Sequence, residues 1–280
     1  MVSIQDLSFA FTKNEPLFSG LNLELKPGNI YGLFGLNGAG KTTLLNHITG
    51  MLFPASGMCN VLDKPARERR PEVLSELFIV PEQFELPSLS AHKYIDIHAP
   101  FYPRFDVDLM KRMMKEFEVN PDKKIPSLSY GQRKKFLIAF ALATQTKLLL
   151  MDEPTNGLDI PSKSQFRRIH ASLDNSNRCT VISTHQVRDL GAMIDHVTVL
   201  KNGKIVFNHT LEEISERLSF RKISKGESAD YIYGEEVLGG TFTIAPAGNN
   251  ENTELDLELL FNGIIQESDL INKEFNAPLL

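Results

Sequence analysis

Residues 30–43 read Ile-Tyr-Gly-Leu-Phe-Gly-Leu-Asn-Gly-Ala-Gly-Lys-Thr-Thr. Ile30 to Phe34 is a short apolar run suited to a buried strand. From Thr43 onward, Leu44, Leu45 and Ile48 return at helical spacing. Between them lies G-x-x-x-x-G-K-T, from Gly35 to Thr42. Strand, glycine-rich loop and helix in this order form a phosphate-binding P-loop. The chemistry accounts for each residue type. Gly35, Gly38 and Gly40, with Leu36, Asn37 and Ala39 between them, let backbone N–H groups curl around phosphate oxygens. The helix N-terminus, through Thr43, adds its positive dipole end. Lys41 reaches the β- and γ-phosphates, and the Thr42 hydroxyl suits Mg²⁺.

Working outward, the carboxyl ends of other apolar runs carry polar groups. Leu148-Leu-Leu-Met precedes Asp152-Glu153. A buried strand ending in Asp152 places a carboxylate beside the Mg²⁺ held by Thr42. Glu153 points differently and suits polarisation of an attacking water. Leu77 to Val80 is another strand, stopped by Pro81, with Glu82 and Gln83 placed to face a ligand. Thr180 to Thr184 is a further strand ending at His185. On the amino-terminal side, residues 2–11 read as an edge-type strand, and Leu21, Leu23 and Leu25 alternate strictly. Phe11 is either a core aromatic or a stacking surface for a base.

Residues 84–126 are broken by five prolines, with helical segments at 92–98 and 107–117. The aromatic stretch 98–105 serves either packing or contact with a partner. Ser129 and Gln132 fit a capping box opening a helix that is apolar nearly all round, Phe136 to Ala143. Arg133, Lys134 and Lys135 crowd its first turn, where cations oppose the helix dipole. Meeting an anion such as phosphate is one explanation; plain surface charge is the other. Asn202-Gly203 marks a hairpin, and 211–218 a short helix.

The chain has 280 residues, 42% of them hydrophobic, and a formal net charge of −5. Its longest apolar run is eight residues, far short of a membrane span. The opening Met-Val-Ser-Ile-Gln-Asp has neither a basic region nor an apolar core, so no signal peptide is expected. Cys59 and Cys179 lack metal-ligand spacing and read as reduced packing residues, pointing to the cytoplasm. Residues 221–280 hold four Lys/Arg against eleven Asp/Glu, a balance that speaks against nucleic acid or lipid headgroups. No basic tract marks a nucleic-acid footprint.

Taken together, the motifs resemble the ATP-binding cassette of an ABC transporter over residues 1 to about 215. Gly35 to Thr42 is similar to Walker A, and Leu148 to Glu153 to Walker B. Leu128-Ser-Tyr-Gly-Gln132 resembles the signature Leu-Ser-Gly-Gly-Gln, with Tyr130 in place of glycine. Asn156 to Asp159 resembles the D-loop and His185 the switch histidine, while Phe11 falls where the family stacks adenine. The family's Q-loop glutamine falls at Glu82, with Gln83 beside it. The resemblance implies an α/β fold: a RecA-like P-loop core, an N-terminal antiparallel β subdomain and a helical insertion at about 84–145. Residues 1–220 are the expected cassette and 221–280 a small accessory region. It further implies MgATP hydrolysis, with Glu153, His185, Glu82 and Gln83 catalytic and Thr42, Asp152 and Glu82 near the metal. Ser129, Gly131, Gln132 and Asp159 are then expected to serve the nucleotide of a second cassette, which accounts for the cationic turn. The implied partners are that second cassette and a membrane permease on a separate chain, on the inner face of the plasma membrane. Phe-Tyr-Pro-Arg-Phe-Asp at 101–106 resembles bacterial export systems more loosely. Soluble ATPases of the same family acting on ribosomes or DNA, and regulatory ATP-binding modules, are the rival readings.

Overall fold

The computed structural model describes residues 1–13, 15–173, 175–191, 193–225, 229–248 and 253–276. Three sheets organise them. The first is antiparallel, ordered β2-β1-β4-β5: β1 (Val2–Thr12), β2 (Glu15–Leu25), β4 (Ser56–Val61) and β5 (Lys64–Pro65). Strand β1 therefore lies inside the sheet, not at its edge as the imperfect alternation implies. The alternation is broken by register shifts after Ile4, around Asp6, whose φ is +48°. A bulge moves side chains to the other face without unpairing the strand.

The second sheet is ordered β10-β9-β3-β8-β7-β6. It comprises β3 (Ile30–Phe34), β6 (Leu77–Val80), β7 (Leu148–Asp152), β8 (Cys179–Thr184), β9 (His196–Lys201) and β10 (Lys204–Thr210). All but β10 run parallel to their neighbours. Both faces are covered, so β7 is apolar up to Asp152, and β8 buries Thr180, Ser183 and Thr184 among its apolar residues. In β7, Leu148 and Leu150 face the antiparallel sheet and helix α1 (Lys41–Ile48), whereas Leu149 and Met151 face the other core. That second core holds the helical insertion: α3 (Ala91–His98), α4 (Val107–Glu116) and α5 (Tyr130–Ala143), preceded by the short α2 (Pro71–Leu74). Phe136 and Phe140 of α5 are fully buried, and Phe140 meets Phe78, Tyr94, Tyr102 and Phe105. The stretch 98–105 thus packs through Tyr102 and Phe105, while the Phe101 ring is largely exposed. Helix α6 (Ile160–Ala171) buries Phe166 and Ile169 in the same core.

After α7 (Leu211–Arg217) comes the third sheet, β11-β13-β12, with β11 (Leu218–Ser224), β12 (Tyr233–Val237) and β13 (Gly240–Pro246). Strand β11 spans the expected boundary at residue 220. Helix α8 (Leu257–Asn276) lies across this sheet, with its regular geometry interrupted at Glu267. Its Phe261 ring meets Phe34 edge-on at 6.2 Å, inside the same core as the insertion helices. No described helix is long and apolar enough to cross a membrane.

Candidate functional site

The loop after β3 turns because Gly35 and Gly40 leave room that a side chain would fill. A Cβ on Gly35 would stand 2.8 Å from the Leu200 carbonyl oxygen. Gly40, at φ +102°, caps α1, and a Cβ there would stand 2.9 Å from the Phe18 ring. The helix is anchored by buried Leu44, Leu45 and Ile48. Each such burial is worth about 1.5–3 kcal/mol.

A cleft of about 610 Å³ opens over this loop. Asn37, Gly38, Gly40, Lys41, Thr42 and Thr43 form its floor, and Phe11, Glu82, Asp152, Glu153 and His185 its walls. Gly35, Leu36 and Ala39 complete the loop beneath. Parallel strands end together at this edge, so four distant stretches of sequence converge. The Thr42 hydroxyl donates to Asp152 Oδ2 at 2.5 Å, and the other Asp152 oxygen accepts from Ser183 Oγ. The Lys41 ammonium donates to its own loop, to Gly35 O at 2.7 Å and Leu36 O at 3.3 Å. Burial lowers its pKa, against the pull of Glu153, Asp152 and Glu82. Phe11 stands 69% exposed at the rim, edge-on to Phe9, so it is a rim aromatic and not a core residue.

Glu153 is buried, and its φ of +44° is rare for a side-chain-bearing residue. Its Oε2 accepts from Thr184 Oγ1 at 2.8 Å. Its Oε1 accepts from the His185 backbone N–H at 3.0 Å and lies 2.7 Å from His185 Nδ1. These bonds hold the carboxylate at the end of β7 despite the strained backbone.

Of the pair at the end of β6, Glu82 enters the cleft and Gln83 does not. The Glu82 Oε1 accepts from Asn156 Nδ2 at 3.3 Å. Ser129 and Gln132 form the expected capping box: Ser129 Oγ accepts from Gln132 N at 3.2 Å, and Gln132 Oε1 from Ser129 N at 3.3 Å. Ser129, Gly131, Gln132 and Asp159 take no part in the cleft walls. Asp159 is a helix cap: its carboxylate accepts from Ser162 N at 2.9 Å and opens α6.

The cationic turn corrects one expectation. Lys134 is fully buried and needs no ligand from outside the chain. Its ammonium donates to Pro81 O at 3.1 Å and Glu82 O at 3.3 Å and sits 5.5 Å from the centre of the Phe84 ring. Burial pushes its pKa down to about 8, although Asp152, Glu82 and Glu153 oppose the shift. Sequence reasoning missed this role. The available signal was the place of Lys134 one helical turn after Tyr130, at the start of the apolar stretch of α5.

The family described as ABC transporter matches residues 18–156. The chain is 29% identical over 259 residues to the Nod factor export ATP-binding protein I of Cupriavidus metallidurans, covering 90% of this chain and 82% of that one. It is 28% identical to the ABC transporter ATP-binding protein YtrB of Bacillus subtilis, over 77% of this chain and 74% of that one. The solved structure of an ATP-binding subunit of an ABC transporter superposes with a TM-score of 0.68 at 23% identity, covering 76% of this chain and 91% of that one.

Proposed function

We propose, for a chain that belongs to the ATP-binding cassettes of ABC transporters, that it hydrolyses MgATP at sites shared between two cassettes and drives export through a separate permease. The observation that carries this reading is the convergence of the P-loop, Asp152, Glu153 and His185 on one cleft. Phosphates are held by the loop's N–H groups, the α1 N-terminus and Lys41, which must leave its bonds to Gly35 and Leu36 to reach them.

The oxygen donors beside the loop suit Mg²⁺, a hard cation that prefers few carboxylates plus phosphate and water. Among the described residues no cluster of three or more His, Cys, Asp or Glu is built to hold a metal unaided, which fits that preference. Thr42 and Asp152 would hold it, with Glu82 close by. When bound, the ion supplies charge neutralisation on the phosphates. Glu153 accepts a proton from the attacking water at Oε1 or Oε2, and His185 orients that carboxylate through Nδ1. The aromatic face of Phe11 receives the base.

The capping Ser129, outside its own chain's cleft, offers its hydroxyl and the Gly131 N–H to the nucleotide of the partner cassette. We assign the residues before β11 to the cassette proper and β11, β12, β13 and α8 to an accessory unit, which moves the boundary from residue 220 to about 217. Export is the direction supported by the relative named for Nod factor export. Both the cytoplasmic address and the place at the inner membrane face follow from the permease partnership. The test is affinity purification of the Glu153→Gln variant from membranes in the presence of ATP. An integral membrane protein should accompany it in fixed ratio; recovery with ribosomes or DNA alone would overturn the transport reading.

A further inference from the structure

We propose that Tyr130 is a positioning residue for Glu82, and so governs how the Glu82 carboxylate meets the Mg²⁺ of the bound nucleotide. The inference rests on the reading above, in which Glu82 stands beside the metal.

Tyr130 and Glu82 are the two places where this sequence departs from the family pattern. They lie far apart in sequence, and the structure joins them. The Tyr130 hydroxyl donates to the Glu82 carbonyl oxygen at 2.9 Å. Lys134, one helical turn along α5, donates to the same oxygen at 3.3 Å and to Pro81 O at 3.1 Å. The carbonyl of Glu82 thus takes two donors from one helix.

The side-chain end of Glu82 is held from the opposite direction by Asn156, and Tyr130 reaches that side too. Gly157 follows Asn156 at φ +78°, and a Cβ on it would stand 2.7 Å from Tyr130 Cε1. Phe84, tilted against the Tyr130 ring at 5.6 Å, closes the third side. A glycine at position 130 supplies neither the hydroxyl nor the ring. The tyrosine therefore fixes the root of Glu82 and the turn that carries the partner of its carboxylate. A carboxylate at this position, unlike an amide, is purely an acceptor when ionised. Its usefulness beside a cation depends on where its backbone is held.

Tyr130→Phe keeps the ring and removes the donor, so it is the informative variant. Losing one hydrogen bond corresponds to about a two- to tenfold change in an equilibrium. The Mg²⁺ concentration for half-maximal turnover at saturating ATP should rise about two- to tenfold, while ATP affinity without divalent metal stays unchanged. In the Glu153→Gln background, Mn²⁺ binding to the ATP-loaded protein, read by paramagnetic resonance, should weaken by the same factor. Amides of 82–86 should exchange with deuterium faster. Glu82→Ala should shift metal dependence further, and adding Tyr130→Phe to it should change nothing more.

If Glu82→Ala leaves metal dependence unchanged, the proposal falls at its premise. If Glu82→Ala shifts it and Tyr130→Phe does not, Glu82 keeps its place beside the metal and the positioning role is overturned. A drop in turnover and melting temperature with no change in metal half-saturation also overturns it, because that is the mark of a merely structural tyrosine.

Discussion

Glu153 spends conformational energy to stand where it does. Its left-handed backbone is offset by hydrogen bonds from Thr184 and His185. An amide of the same shape keeps the acceptor Oε1 but cannot take a proton from water. Glu153→Gln should therefore bind ATP as the parent does and lose about 10²- to 10⁴-fold in turnover; phosphate release under single-turnover conditions checks it. Turnover within a few fold of the parent would remove Glu153 from the role of base. Lys41 is a different kind of residue, a cation bonded to its own loop that the proposed function turns toward phosphate. Charge-assisted hydrogen bonds contribute about 1.5–3 kcal/mol. Lys41→Ala should then weaken ATP binding about 10- to 100-fold, as read by calorimetric titration.

At the scale of elements, α5 carries a titratable tie. Lys134 is protonated below about 8 in the folded protein and near 10.5 when exposed. Between those values the unfolded chain binds the extra proton, so this group makes the fold more stable as pH rises. The limiting slope is about 1.4 kcal/mol per pH unit. Cys59 and Cys179 act in the opposite sense. Their thiols, pushed from 9.0 up to about 12 by burial, make the fold less stable as pH rises above 9. The measurement is accordingly a difference: urea unfolding of the parent and of Lys134→Met from pH 7.5 to 10.5. Stability of the parent relative to the variant should grow with pH, and a flat difference would show that the ammonium is not buried when folded.

The same helix shows what could be read from sequence. Its cap was legible, because Ser129 and Gln132 satisfy each other locally. The P-loop and the strand ends at Asp152 and Glu153 were legible too, since buried parallel strands are continuous apolar runs followed by polar residues. Lys134 was not, because a helical wheel does not say which carbonyls a neighbouring strand end turns toward it. Strand β11 was missed for a related reason: its partner β13 lies beyond the β12 hairpin, and pairing gives Ser219 and Thr243 their burial. The choice between Glu82 and Gln83 needed the direction of one side chain after Pro81, which spacing alone does not fix.

At the scale of the whole molecule, the proposed reading divides each chain's contribution between two nucleotides. The P-loop cleft lacks Ser129 and Gly131 from its own walls. Turnover per chain should accordingly rise with protein concentration until dimers saturate. Ser129→Arg should retain ATP affinity yet lose most turnover, and it should unfold about 0.5–2 kcal/mol more easily because a helix cap is lost. A structure of the ATP-bound Glu153→Gln variant in which Ser129 lies against its own chain's nucleotide, or far from any nucleotide, would rule out the shared site. The C-terminal unit belongs to this scale as well. Phe261 of α8 closes over Phe34, the residue that leads into the P-loop, inside a core shared with the insertion helices. This contact bears on the order in which the protein is made. The P-loop strand leaves the ribosome well before the ring that covers it. At about 5–20 residues per second, Phe34 waits roughly 10–45 seconds for Phe261. Throughout that interval the nascent chain offers an unfinished core to chaperones, and the strand that leads into the nucleotide loop is fully covered only once α8 has emerged.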